Sequence, residues 1–85
     1  MASATVKLYA SLSDYLPAGT KANAVKVPLP SDEATVGAIL ARFKVPMEQC
    51  HLVLLNGLFI APSHRADCTV ADGDTVAVWP PVAGG

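Results

Sequence analysis

Apolar and polar residues alternate near the start of the chain. In Thr5-Val6-Lys7-Leu8-Tyr9-Ala10, Val6, Leu8 and Ala10 fall on one face and Lys7 and Tyr9 on the other. A period of two marks a half-buried strand, because successive Cβ atoms point to opposite sides of a pleat. Leu12, Tyr15 and Leu16 then follow helical spacing, but Pro17 and Gly19 leave room for only a turn or two. Ala24-Val25-Lys26-Val27-Pro28-Leu29 alternates again, with Val25, Val27 and Leu29 inward and Lys26 outward. Together the two strands predict a hairpin with a long, partly helical loop.

The pattern then changes to period 3.6. Val36, Ile39, Leu40 and Phe43 stand at i, i+3, i+4 and i+7, one apolar stripe of a helix. Thr35 is placed to cap its N-terminus, and Arg42 and Lys44 lie in the last turn, where cations suit the helix dipole. Val45-Pro46 stops the helix. Leu52-Val53-Leu54-Leu55 is a continuous apolar run, fitting a central strand covered on at least one face by that helix. Asn56-Gly57 closes it with a strong hairpin signal, and Leu58-Phe59-Ile60 reads as the short return strand. Ala61 to Cys68 reads as a loop, Thr69-Val70 as a brief extended piece and Asp72-Gly73-Asp74 as a turn into a last strand, Thr75-Val76-Ala77-Val78-Trp79. The order implies one α+β domain, a mixed sheet of four to five strands crossed by one main helix.

Composition narrows the setting. Of 85 residues, 52% are apolar and 15% charged, enough for a core and too apolar for a disordered chain. The net charge is −1, and Lys7, Lys21, Lys26, Arg42, Lys44 and Arg65 are scattered along the sequence, so no basic stripe marks a nucleic-acid partner. Neither a signal-type N-terminus nor a run long enough to span a bilayer is present, which predicts a cytoplasmic protein with no membrane partner.

Side-chain chemistry is sparse. The sequence holds no Gly-x-x-x-x-Gly-Lys-Ser/Thr loop, no Gly-x-Ser-x-Gly elbow and no His-Glu-x-x-His helix. Asp14, Asp32, Glu33, Glu48, Asp67, Asp72 and Asp74 fall mostly in loops and turns, where Asp72 and Asp74 read as turn formers. Cys50, His51, His64 and Cys68 are donors of the kind zinc accepts, but Cys50 and His51 are adjacent and point apart in an extended segment. They read as a half-buried thiol and a surface imidazole, with no metal site. Sequence alone does not say whether Cys50 reaches Cys68.

What remains is the chain's own end. Asp72-Gly73-Asp74 opens an apolar strand that runs into Pro80-Pro81, then Val82-Ala83 and a bare Gly84-Gly85. Proline fixes φ and favours an extended exit, while glycine lets a backbone pass close to another surface. This ending resembles that of the ubiquitin-like sulfur carriers, the family of the molybdopterin synthase small subunit and the thiamine-pathway carrier. Pro80-Pro81-Val82-Ala83-Gly84-Gly85 is most similar to the molybdopterin synthase branch, and the order of elements matches the β-grasp of ubiquitin.

The resemblance implies a domain over residues 1–79 and a tail over 80–85 whose residues Pro80, Pro81, Val82, Ala83 and Gly84 insert into a partner. Gly85 carries the reacting carboxylate, which an E1-like enzyme adenylates and a persulfide donor converts to a thiocarboxylate. ATP is used by that enzyme, and no cofactor is bound here. The sulfur then passes to a molybdopterin synthase large subunit or another acceptor enzyme, so the chain is not an enzyme alone. The alternatives are other sulfur destinations, namely thiazole, tRNA thiolation, cysteine or a tungsten cofactor, and a ubiquitin-like modifier of lysines. Leu58, Phe59 and Ile60, with Trp79 at the base of the tail, are the candidate docking residues, since an apolar cluster on a short edge strand marks an interface.

Overall fold

The computed structural model describes residues 2–17, 23–31 and 33–81. The strands are β1 (Ser3–Leu8), β2 (Ala24–Pro28), β3 (Leu52–Leu55), β4 (Leu58–Phe59) and β5 (Thr75–Trp79), and the one α-helix is α1 (Val36–Arg42). They form a five-stranded mixed sheet in the order β2-β1-β5-β3-β4. β1 runs parallel to β5, and the β1–β2, β3–β5 and β3–β4 pairs are antiparallel.

One parity of the strands makes the core. Ala4, Val6 and Leu8 of β1, Val27 of β2, Val53 of β3 and Val76 and Val78 of β5 are buried together with Val36, Ile39 and Leu40 of α1. Thr35 caps the helix as its sequence position requires, its Oγ1 accepting from the Ala38 N–H at 3.1 Å. Phe43 ends the stripe half-buried, Lys44 takes a left-handed φ of 60°, and Pro46 follows. Arg42 reaches across to the sheet, where its Nη1 donates to the Pro28 carbonyl at 2.9 Å.

The first strand differs from its sequence pattern. β1 ends at Leu8, and Ala10 turns outward with φ 53° at the start of a 3-10 helix, Ala10–Tyr15, so it is exposed rather than in register with Val6 and Leu8. That short helix sends Leu12 into the core end of the sheet. Cys50 is also more enclosed than a half-buried thiol: it lies in the core, with its Sγ 3.6 Å from the Pro46 carbonyl. The residues between β4 and β5 hold a 3-10 turn, Pro62–His64, and the buried Arg65, whose carbonyl accepts from the Gly37 N–H at 2.9 Å.

Candidate functional site

β5 lies between β1 and β3, so the strand that leads into the tail is hydrogen-bonded on both sides. The ladder continues to the strand's end, where the Tyr9 N–H donates to the Val78 carbonyl at 3.1 Å and the His51 N–H donates to the Trp79 carbonyl at 3.0 Å. Pro80 is still buried against the domain, and Pro81 is exposed. Of the tail residues singled out in the sequence, Val82, Ala83, Gly84 and Gly85 lie outside the described residues.

Trp79 alternates away from the buried Val78, onto the sheet face opposite the helix. There it stacks on Tyr9, with ring centroids 4.5 Å apart and an interplanar angle of 9°. Such aromatic pairs contribute about 0.5–1.5 kcal/mol beyond burial and hold both rings in place.

Register places further apolar residues on that face. Leu52 is opposite Trp79, Ala77 is opposite Leu54, and Leu54 is opposite Phe59. Two rows result: Tyr9, Trp79 and Leu52 beside the tail, and Ala77, Leu54 and Phe59 next to them. Phe59 is 58% exposed, and the others are half-buried. Leu58, on the opposite parity, is 72% exposed, because β4 lies at the sheet edge, beyond the buried cluster under α1. Ile60 is the member of the trio that packs against the core, and its N–H donates to the Val53 carbonyl at 2.9 Å.

Tyr9, Leu52, Leu54 and Ala77 were not singled out in the sequence. Their signal was present in Leu52-Val53-Leu54-Leu55: a run apolar at both parities carries apolar residues on both faces of the sheet. Only the strand order shows that the second face lies beside the tail.

Side-chain bonds fix the hairpin that presents Leu58 and Phe59. Asn56 and Gly57 take φ values of 51° and 86°, the left-handed pair of a tight hairpin turn. Asn56 Nδ2 donates to Asp74 Oδ1 at 2.9 Å, and Asn56 Oδ1 accepts from the Thr75 N–H at 2.8 Å. Asp74 Oδ2 accepts from the Ala71 N–H at 2.8 Å. The Ala71 and Asn56 donors hold the Asp74 carboxyl below its ordinary pKa, since both favour the charged form.

The remaining candidate groups do not gather. Cys50 points into the core, while His51, its neighbour, is exposed. Burial pushes the Cys50 thiol up and the Arg65 guanidinium pulls it partly back, which leaves a poor nucleophile. Cys50 and Cys68 are free cysteines, and the described residues hold no group of three or more metal-donor side chains. No helix among the described residues is long and apolar enough to cross a membrane.

A mixed five-stranded sheet with one main helix, in this strand order, defines a ubiquitin-like β-grasp protein. The ThiS family model matches residues 6–85, and the chain belongs to the ThiS family. Among solved structures, it is similar to small archaeal modifier protein 1 of H. volcanii, with 27% identity and a TM-score of 0.71 over 96% of this chain and 100% of that one. A putative molybdopterin converting factor subunit 1 from Pyrococcus furiosus shares the fold at 22% identity and TM-score 0.69, over 96% of this chain and 100% of that one. Thiamine biosynthesis protein ThiS from Geobacter metallireducens does so at 22% identity and TM-score 0.58, over 95% and 99% respectively. No curated protein matches the chain.

Proposed function

We propose that this chain carries sulfur as a thiocarboxylate on Gly85 and delivers it in molybdopterin synthesis. What supports the reading is a family match that runs through the Gly84-Gly85 end, together with a tail that leaves a central strand beside an open apolar face. The carboxylate is ionised at neutral pH but cannot lose oxide, so it first attacks the α-phosphate of ATP in an E1-like enzyme, releasing pyrophosphate. A persulfide sulfur then attacks the carbonyl carbon, with AMP as leaving group. Reductive cleavage of the resulting acyl disulfide by a thiol leaves the thiocarboxylate.

The chain's own contribution is presentation. The five residues after Pro80 span at most ~17 Å when extended, so the domain stays outside while its end reaches a recessed site. The molybdopterin destination rests on the likeness of Pro80-Pro81-Val82-Ala83-Gly84-Gly85 to that branch.

Incubation with the organism's own E1-like enzyme, ATP and a persulfide donor is expected to raise the intact mass by one oxygen-to-sulfur exchange. Gly84→Ala and Gly85→Ala are expected to lose most of that product, because a Cβ narrows the tip and restricts φ. Full loading of both variants would contradict the proposed insertion. A second reading, lysine modification, is favoured by the likeness to the H. volcanii modifier. It predicts adducts on lysines of other proteins in place of the sulfur exchange.

A further inference from the structure

We propose that the sheet edge at β2 takes up an extended peptide in which apolar and acidic side chains alternate. The inference goes beyond the carrier reading and does not rest on it. β2 is an outer strand of the sheet, with β1 on one side and no described strand on the other. The ladder fixes which of its backbone groups face outward. The Leu8 N–H donates to the Asn23 carbonyl at 3.0 Å, and the Leu29 N–H donates to the Ala2 carbonyl at 2.9 Å. With Val6 opposite Val25 and Ala4 opposite Val27, that phase turns the amides and carbonyls of Val25 and Val27 toward β1. Ala24 and Lys26 therefore each direct an N–H and a C=O away from the sheet, a short ladder ready for one more strand.

The window closes at Pro28. Proline has no N–H to give, and the Pro28 carbonyl already accepts from Arg42 Nη1 at 2.9 Å. An added strand is thus held over Ala24 and Lys26 and no further along β2 in that direction.

Side chains on either side of the edge set the chemistry of the occupant. On the helix side, Val25 and Leu29 are half-buried and pack against the core, so a strand laid beside them extends an apolar layer. On the other side Lys26 is exposed and pairs in register with Thr5, while Lys7 pairs with Ala24, which makes the two lysines diagonal neighbours. None of the five strands carries a carboxylate. An incoming strand with apolar residues beside Val25 and an acidic residue beside Lys26 suits both faces, and a period of two supplies that pattern. A second copy of the chain does not. Antiparallel pairing of β2 with itself, in the register that sets Ala24 opposite Lys26, makes the two Lys26 side chains diagonal neighbours of like charge.

The test titrates the full chain, labelled with 15N and free of partners, with two capped heptapeptides, one alternating valine with glutamate and one alternating valine with lysine. The glutamate peptide is expected to shift the Ala24 and Lys26 amide signals and to slow their hydrogen exchange about fivefold or more. The lysine peptide is expected to bind about tenfold more weakly, and Lys26→Glu is expected to reverse that preference. Lys26→Pro removes an outward N–H that the β1 ladder does not use. It is expected to melt within a few degrees of Lys26→Ala yet to bind the glutamate peptide about tenfold more weakly than Lys26→Ala does. The charge reversal in Lys26→Glu is read independently of whether the proline variant folds. No shift at Ala24 and Lys26, shifts confined to Tyr9 and Trp79, or self-association that moves the β2 amides would each overturn the proposal. So would equal affinity for the two peptides, an unreversed preference in Lys26→Glu, or equal binding by folded Lys26→Pro and Lys26→Ala.

Discussion

Arg65 is the residue least at home in its surroundings. It is 2% exposed, and its Nε and Nη2 are buried without a hydrogen-bond partner. A buried guanidinium that makes few bonds costs hydration it does not recover, while its methylene stem packs like any apolar chain. Arg65→Met keeps the stem and is expected to match or exceed wild-type stability, by about 1 kcal/mol, in urea denaturation. Arg65→Ala opens a cavity and is expected to cost about 2 kcal/mol or more. Asp74 gives the opposite case. Its folded pKa lies below its unfolded one, so its contribution is present at neutral pH and lost as pH falls through the lowered value. An acid titration of stability below about pH 4 is expected to be shallower in Asp74→Asn than in the wild type.

At the scale of elements, the short helix depends on its cap. α1 has seven residues, too few to stand alone, and the Thr35 Oγ1 bond satisfies one of its open N–H groups. Thr35→Ala is expected to cost about 1 kcal/mol, seen as a lower urea midpoint with an unchanged slope. That helix was legible in the sequence, as were β5, β3 and the Asn56-Gly57 hairpin, because each rests on local period, caps or turn chemistry. Ala10 misled because alternation continues one step past the point where the backbone takes φ 53°. Arg65 was hidden inside a polar stretch that packs against the start of α1 through the Gly37–Arg65 bond, a contact local pattern does not encode. The open apolar face was legible by halves: Phe59 and Trp79 stood out in the sequence, but their union with Tyr9, Leu52, Leu54 and Ala77 needs the pairing of strands distant in sequence.

Over the whole molecule, burial separates the residues of the core from the apolar residues left open on the sheet and its edge. Leu58 and Phe59 contribute little to the core, being 72% and 58% exposed. Leu58→Ser/Phe59→Ser is expected to melt within a few degrees of the wild type yet to bind the adenylating enzyme at least about tenfold more weakly, measured by titration calorimetry. A matching loss of melting temperature would instead assign both residues to the fold. The central position of β5 bears on what happens when a partner tugs at the tail. Its carbonyls and amides are tied to β1 on one side and β3 on the other, and β1 runs parallel to it. Tension along the strand therefore strains both ladders together, in shear, instead of peeling bonds one after another. On the proposed carrier reading, the end can be gripped, threaded and withdrawn while the body behind it stays knitted, much as a tool withstands a pull along its handle.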